Sequence, residues 1–341
     1  MDKKMLQTLR ERLQQPHKIV IIPHKNPDGD AIGSVTALCG YLEQLNHEVT
    51  MISPNEFPDF LNWLPLSEEF VIYDQETDKA TEKLKEAEMT FHLDHNAFHR
   101  TGQMEEVLQN LNTFFVMVDH HQQPDNFADL TFSDPSMSST CEMIYHLITG
   151  VGDAKLITPA MATSMYTGIL TDTGSFKYRS TTPTTMRVAA DLMDMGANSE
   201  SINRKIYDVN TPSRMKLLGV ALSNLRILPE YRTAFITLSQ QELDENNFNK
   251  GDTEGFVNYA LSLNDVVFAQ IFIEKESEGI IKTSLRSKGD FDVNLMARKH
   301  WDGGGHRNAA GGKSELDMDA TMEKLISILP AYEKELLQTA I

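Results

Sequence analysis

The stretch Phe115-Val116-Met117-Val118-Asp119-His120-His121 decides the fold, because it delivers one acid and two imidazoles directly after a run of apolar residues. A short continuous apolar run is typical of a strand that is buried on both faces in a parallel sheet. Open α/β sheets bind their ligands beyond the carboxyl ends of such strands. The stretch therefore predicts an α/β fold with its chemistry at residues 119–121.

Three other apolar segments lead into side chains of the same kinds. They are residues 19–22 before His24, Asp28 and Asp30, residues 89–93 before Asp94, and residues 166–170 before Asp172. Taken singly, Asp28-Gly29-Asp30 is typical of a solvated turn, and Asp172 is typical of a helix cap. Because all four clusters follow apolar segments, we expect these acids at neighbouring strand ends, where they form one polynuclear metal site.

The available donors favour a particular kind of metal ion. Carboxylates with neutral imidazoles and without thiolates suit Mn²⁺, Mg²⁺ or Fe²⁺ better than a structural zinc ion. Two such ions at about 3.5–4 Å from each other require a carboxylate that bridges them. The sequence therefore predicts a dinuclear centre.

The order of apolar segments predicts the architecture. Strand-like and helix-like segments alternate through the N-terminal half, which predicts an α/β domain with a mostly parallel, doubly wound sheet. Within it, a helix over 30–45 contains small residues such as Gly33 that are expected to pack closely on the sheet. Predicted strands at 233–238, 266–274 and 279–286 indicate a second, smaller mixed-sheet α/β domain. We expect a catalytic domain at 1–197, a helical connector at 198–225 and a substrate-binding domain at 226–341, with the active site in the cleft between the domains.

Charge and composition exclude several classes of protein. The 341 residues include 49 acids and 31 bases, a formal net charge of −18. Affinity for long nucleic acids depends largely on Lys and Arg, so this charge argues against a long-duplex binder but permits a small anionic ligand. With only Cys39 and Cys141, no disulfide framework is available, and both are expected to be buried. Apolar runs fall short of the roughly 20 residues that span a bilayer, so we expect no membrane association and a cytoplasmic location.

The motifs resemble those of the DHH phosphoesterase superfamily, which is named for the triplet found here as Asp119-His120-His121. The resemblance extends to residues 303–311, where Gly303-Gly304-Gly305-His306 is similar to the signature of the DHH-associated C-terminal domain. It covers nearly the whole chain, and the size and layout are most similar to the nanoRNase group. Members of that group hydrolyse short oligoribonucleotides and 3′-phosphoadenosine 5′-phosphate.

The resemblance implies a role for each matching residue. One manganese ion would be held by His24, Asp28 and Asp94, and the other by Asp30, Asp94, His120 and Asp172, so that Asp94 bridges the two. Asp119 is expected either to ligate an ion or to orient His120, and His121 to contact the scissile phosphate. Substrate-binding residues would be Arg286, Gly303, Gly304, Gly305 and His306. A glycine triplet suits an anion because it exposes backbone N–H groups. His95, His99 and Arg100 are expected either to line the mouth of the cleft, or to contact the residues that line it, or simply to face solvent.

The expected reaction is hydrolysis of short oligoribonucleotides, dinucleotides among them, and of 3′-phosphoadenosine 5′-phosphate. Two Mn²⁺ ions per site, replaceable by Mg²⁺ or another divalent ion, would share a bridging hydroxide as the nucleophile. Alternatives are a phosphodiesterase of cyclic or linear dinucleotides and an inorganic pyrophosphatase, which the glycine signature disfavours. A non-catalytic nucleotide sensor is disfavoured because every ligand position is filled. The resemblance also implies a homodimer, with short RNA and small phosphorylated nucleotides as its partners.

Overall fold

The chain consists of two compact units, Met1–Val209 and Asn210–Ile341. A computed structural model describes residues 1–340. Among these residues, no helix is both long enough and apolar enough to cross a membrane. Cys39 and Cys141 are both buried free thiols, as expected.

The first unit is built on a six-stranded sheet. Its strands are β1 (Lys18–Ile22), β2 (Glu48–Ser53), β3 (Val71–Ile72), β4 (Met89–Leu93), β5 (Phe114–Asp119) and β6 (Leu130–Ser133). The strand order is β3-β2-β1-β4-β5-β6, and every neighbouring pair is parallel. All five residues of β4 and four of the five in β1 are buried, as expected for central strands covered on both faces. The chain reverses its direction across the sheet between β1 and β4, which is where doubly wound folds place their ligands.

Eight α-helices accompany this sheet. They are α1 (Lys3–Arg12), α2 (Gly29–Gln44), α3 (Thr77–Glu86), α4 (Glu105–Gln109), α5 (Thr140–Gly150), α6 (Pro159–Asp172), α7 (Pro183–Asp194) and α8 (Ser199–Tyr207). The small residues of α2 allow it to pack closely against α6 as well as against the sheet. The sequence did not predict the contact with α6. A Cβ atom at Gly33 would lie only 2.5 Å from the carbonyl oxygen of Ser164. This close approach brings the start of α2, with Asp30, near the end of α6.

The second unit contains a mixed six-stranded sheet. Its elements are α9 (Pro212–Ser223), β7 (Arg226–Leu228), β8 (Thr233–Leu238), α10 (Gln240–Glu245), α11 (Phe256–Leu261), β9 (Phe268–Lys275), β10 (Ile280–Ser287), α12 (Val293–His300), β11 (Gly304–His306), β12 (Ala309–Ser314), α13 (Met318–Ile328) and α14 (Glu333–Gln338). The order is β11-β12-β10-β9-β8-β7, and only β8 and β9 are parallel. Alternate residues of β9 enter two different apolar clusters, with Phe272 in one and Ile271 in the other. Both faces of the sheet are therefore covered.

The predicted α/β fold class is confirmed, with a doubly wound parallel sheet in one unit and a smaller mixed sheet in the other. The prediction that all site acids lie at strand ends is wrong for Asp172, which is the last residue of helix α6. Thr158 caps that helix and Pro159 occupies its first turn, so the apolar run 166–170 forms helical turns rather than a strand.

Candidate metal centre

The carboxyl ends of β1, β4 and β5 bring the predicted site residues together. His24 follows β1, Asp94 follows β4, and Asp119 ends β5, with His120 and His121 directly after it. All five side chains are buried. The strand order thus assembles residues that are almost one hundred positions apart in the sequence.

One cluster of possible metal ligands consists of His24, Asp28 and Asp94, whose ligand atoms lie within 4.8 Å of one another. His24 Nε2 is 3.3 Å from Asp94 Oδ2, and its Nδ1 is held by the carbonyl of Lys25 at 2.8 Å. Asp28 also caps helix α2, because one of its carboxylate oxygens accepts hydrogen bonds from the N–H groups of Asp30 and Ala31. The cap fixes the backbone around Asp28.

A second cluster consists of Asp30, His120 and Asp172, again within 4.8 Å of one another. His120 Nε2 is 3.7 Å from Asp30 Oδ2 and 3.5 Å from Asp172 Oδ2. Its Nδ1 donates to the backbone carbonyl of Met137 at 3.2 Å, which directs Nε2 towards the carboxylates. The carboxylate of Asp172 lies at a helix C-terminus, where the helix dipole opposes negative charge. Its position therefore calls for a compensating cation.

Asp94 connects the two clusters. Its Oδ2 faces His24, whereas its Oδ1 is 3.5 Å from His120 Nε2. Asp94 has a φ of 60°, a backbone conformation that few residues other than glycine adopt, and such strain is often found at functional sites. Its N–H donates to the carbonyl of Val118 on β5, which keeps the strained residue in place.

Asp119 is paired with His121 rather than with His120. Its Oδ1 accepts from His121 Nδ1 at 2.7 Å, and its Oδ2 accepts from the His121 backbone N–H at 2.9 Å. The expectation that Asp119 orients His120 is therefore wrong, because the carbonyl of Met137 does so instead. The ring of His121, the residue after His120, faces Asp119.

Electrostatics in the two clusters favour a bound cation. Burial raises the pKa of Asp30 well above its usual value, and the negative charges of Asp94 and Asp172 raise it further. Burial opposes a charge on His120, but Asp172, Asp94 and Asp30 together raise its pKa well above the usual value. Three carboxylates close to His120 attract a positive charge, and oxygen and imidazole donors are the ligands that Mn²⁺ and Mg²⁺ accept. The donor set therefore fits the expected divalent metals.

Three residues support the site without any signal in a single sequence. Asn55 accepts from the N–H of Asn26 at 2.7 Å and so shapes the loop before Asp28. Met137 acts through its backbone carbonyl. Thr140 begins helix α5, and its hydroxyl donates to Asp94 Oδ1 at 3.1 Å. Nothing in the sequence distinguishes these residues from ordinary loop and cap positions.

The residues after Asp94 fall into two groups. His95 is fully buried, and its ring bonds to His92 at 3.0 Å and to the Leu93 carbonyl at 3.0 Å, so it packs beside β4 and does not face solvent. Arg100 is partly exposed and acts on the site through its charge. Burial lowers the pKa of His121 most strongly, and the positive charge of Arg100 lowers it further. Arg100 therefore lies close enough to influence a group bound at this site.

In the second unit, the glycine triplet lies in a hairpin rather than an open loop. Gly304, Gly305 and His306 form β11, which pairs with β12. The N–H of Gly305 donates to Asn294 Oδ1 at 2.9 Å. Gly305 has a φ of 152°, and a Cβ there would lie 2.5 Å from the Ala309 carbonyl oxygen, so only glycine fits. These glycines permit the two strands to approach closely.

Arg286 lies near the end of β10, as the sequence predicted. One terminal nitrogen of its guanidinium donates to the carbonyl of Leu285 at 2.9 Å. Its Nε is buried and, among residues 1–340, has no hydrogen-bond partner. A buried donor without an acceptor is costly, so this nitrogen is suited to an anionic ligand.

Models of two protein families match the chain, over residues 18–169 for the N-terminal domain of the DHH family and over residues 232–335 for the DHHA1 domain. The chain belongs to the DHH family. Together with the two ligand clusters, this makes it a metal-dependent hydrolase that acts on phosphoester bonds.

Individual relatives have the same layout. The chain is 32% identical to the bifunctional oligoribonuclease and PAP phosphatase NrnA of Thermus thermophilus, over 93% of this chain and 90% of that protein. The crystal structure of an exopolyphosphatase-related protein from Bacteroides fragilis is 35% identical, with a TM-score of 0.94, and the match covers 99% of this chain and 98% of that one. RecJ of Thermus thermophilus in complex with Mn²⁺ shares the fold at 13% identity, with a TM-score of 0.55, over 98% of this chain and 54% of that one.

Proposed function

We propose that this protein hydrolyses short oligoribonucleotides and 3′-phosphoadenosine 5′-phosphate with two divalent metal ions, Mn²⁺ in the first place. The observation that carries the proposal is the position of Asp94. Its Oδ2 faces His24 and its Oδ1 faces His120, so one carboxylate faces both ligand clusters. A carboxylate placed in this way can bridge the two metal ions of a dinuclear hydrolase. The similarity to the Thermus thermophilus oligoribonuclease and PAP phosphatase supports the choice of substrates.

Each cluster would hold one ion. The first would be held by His24, Asp28 and Asp94. The second would be held by Asp30, His120 and Asp172, together with Asp94, whose Oδ1 is 3.5 Å from His120 Nε2. When bound, two such ions supply a nucleophile from water at neutral pH and offset charge on the phosphoryl oxygens. The side chains contribute the buried negative charge and the fixed geometry that this chemistry needs.

His121 would assist the substrate rather than the metal. Its Nδ1 is engaged by Asp119, which fixes the plane of the ring and stabilises a proton on it. With a second proton on Nε2, an imidazole held in this way can donate a hydrogen bond to a phosphoryl oxygen, where negative charge grows during transfer. Arg286, Gly303, Gly304, Gly305 and His306 are proposed to hold the rest of the nucleotide.

The net charge of −18 supports small substrates. A long polymer would meet repulsion from much of the protein surface, whereas a short nucleotide needs only local cations. Arg100 and Arg286 are the cations we assign to this role. A homodimer in the cytoplasm also belongs to the proposal, and light scattering on the purified protein tests its oligomeric state.

The test is a comparison of substrates at saturating Mn²⁺. 3′-phosphoadenosine 5′-phosphate, a diadenylate, a cyclic dinucleotide, a longer RNA and pyrophosphate are incubated with the wild type, Asp94→Ala and Asp78→Ala. Asp78 is exposed in the first turn of α3 and provides the matched control. We expect turnover of the first two substrates, loss of it in Asp94→Ala and no change in Asp78→Ala. Turnover of pyrophosphate alone, or of the cyclic dinucleotide alone, would overturn the substrate assignment.

A further inference from the structure

The first turn of helix α5 contacts both ligand clusters. The backbone N–H of Thr140 donates to Asp30 Oδ2 at 2.6 Å, and that of Cys141 donates to Asp30 Oδ1 at 2.8 Å. The hydroxyl of Thr140 donates to Asp94 Oδ1 at 3.1 Å. One helical turn thus holds a carboxylate of the second cluster through its backbone and the shared carboxylate through a side chain.

The Thr140 hydroxyl is not required to cap its own helix. That role belongs to Ser139, whose side chain accepts from the N–H of Glu142 at 3.0 Å. Thr140 is completely buried, and its hydroxyl forms a bond across 46 residues of sequence. The hydrogen bond to Asp94, rather than the local helix structure, therefore explains why a hydroxyl is buried at position 140.

The first turn of α5 is also joined by hydrogen bonds to other parts of the first unit. Glu142 is almost completely buried, and its Oε2 accepts from the backbone N–H of Ser138 at 3.1 Å and from the Thr185 hydroxyl at 2.9 Å. The Ser138 hydroxyl is bonded to the same oxygen. Thr185 belongs to α7, so the start of α5 is joined to a neighbouring helix. A turn held in this way does not move freely to follow Asp30 or Asp94.

We propose that Thr140 is a positioning residue, whose hydroxyl sets the orientation of Asp94 relative to Asp30 so that a single carboxylate serves both metal ions. The inference rests on the proposed dinuclear centre. The hydroxyl of Thr140 acts through Asp94, and the Thr140 backbone N–H holds Asp30 independently of the side chain. Partners behind a metal ligand typically change metal affinity by about 10- to 100-fold when they are removed.

The test measures Mn²⁺ binding to the metal-free protein by titration calorimetry, without substrate. Thr140→Val replaces the hydroxyl by a methyl group of similar size, and Thr140→Ser keeps the hydroxyl. Thr149→Val is the matched control, because Thr149 lies on the same helix and its hydroxyl donates to the Tyr145 carbonyl, away from the clusters. We expect Thr140→Val to bind Mn²⁺ about tenfold more weakly or worse, and both Thr140→Ser and Thr149→Val to bind close to the wild-type affinity.

Kinetics provide a second measurement. Since Thr140 does not touch substrate, Thr140→Val at limiting Mn²⁺ is expected to lower kcat and leave KM near the wild-type value, and excess Mn²⁺ is expected to recover part of the loss. Wild-type Mn²⁺ affinity in Thr140→Val overturns the inference, and so does an equal loss in Thr149→Val. If Thr140→Val does not unfold cooperatively, Thr140→Ala removes the hydroxyl without placing a methyl against Asp94 and gives the same comparison.

Different results would overturn the proposed function and the role of Thr140. A wild-type protein that binds two Mn²⁺ ions but hydrolyses none of the short nucleotides overturns the substrate proposal and leaves the calorimetric comparison valid. A wild-type protein that binds no Mn²⁺ overturns both.

Discussion

Asp119 and His121 are joined by two hydrogen bonds, one to the Nδ1 atom of the ring at 2.7 Å and one to the backbone N–H at 2.9 Å. Both residues are buried. Burial lowers the pKa of His121 well below its usual value, and the positive charge of Arg100 lowers it further. The paired carboxylate fixes which ring nitrogen carries the proton, and thereby how the imidazole meets a phosphate.

Asp119→Asn tests this pairing. The amide keeps an acceptor for His121 but loses the negative charge that stabilises a proton on the ring, so we expect kcat to fall on the order of 10²-fold or more. KM and the number of bound Mn²⁺ ions are expected to stay near the wild-type values. Steady-state kinetics with metal analysis of the purified variant check both. Loss of a Mn²⁺ ion would show instead that Asp119 is a metal ligand.

Mn²⁺ is expected to stabilise the fold of the first unit. Asp30 and Asp94 beside His120 are buried, and a divalent ion that binds only the folded state adds free energy of unfolding that grows with its free concentration relative to Kd. At a free Mn²⁺ concentration one hundred times Kd, the added free energy of unfolding is about 2.7 kcal/mol. Thermal unfolding with and without a chelator measures the change. In Asp94→Ala the shift should largely disappear, whereas Asp78→Ala should retain it.

Arg286→Lys is expected to weaken substrate binding. Lysine keeps the charge but has no Nε atom, which is the buried donor that lacks a partner in the described residues. A hydrogen bond to a charged group contributes about 1.5–3 kcal/mol, so KM should rise by roughly tenfold or more. Arg226→Lys on the exposed strand β7 is the matched control. An unchanged KM in Arg286→Lys would remove this residue from the substrate site.

His47→Asn is expected to make the fold less sensitive to acid. Burial, with the charge of His17 as a smaller cause, lowers the pKa of His47 from its ordinary value of 6.5. Because the folded pKa is the lower one, the contribution of His47 to stability is complete above pH 6.5 and is lost as the pH falls below it. The Nδ1 atom of His47 accepts from the backbone N–H of His17 at 3.1 Å, and an asparagine oxygen can replace it.

Urea unfolding of wild type and His47→Asn, measured above pH 7 and again near pH 5, checks this prediction. The two proteins should differ little at the higher pH, and the variant should lose less stability on acidification. His99→Asn, at an exposed position, serves as the control and should follow the wild type. Parallel loss in all three proteins would contradict the assignment to His47.

The sequence was sufficient to predict the strands that carry the site. Residues 18–22, 89–93 and 114–118 are mostly apolar runs that are followed within two residues by an acid or an imidazole, and a buried parallel strand is the simplest structure for such a run. Asp172 shows the limit of that logic, because an apolar run of five residues is equally compatible with the last turns of a buried helix. The cap at Thr158 and Pro159 was the signal that distinguished the two.

The supporting contacts were not predictable. A hydroxyl at the start of a helix is usually explained by capping, and only the folded chain shows that Thr140 faces Asp94. The glycine triplet was expected to expose N–H groups, yet the Gly305 N–H is bonded to Asn294. Both cases depend on side chains brought from distant positions, which no local pattern records.

Every proposed metal ligand lies between His24 and Asp172, so the ligand set is complete before the second unit begins at Asn210. A ribosome builds the chain from its N-terminus, and it therefore finishes this set while roughly the last half of the protein is still unmade. If the proposed dinuclear centre exists, metal binding need not wait for the second unit to be translated. On that proposal, the supply of metal and the completion of the polypeptide are separate events in the life of each molecule.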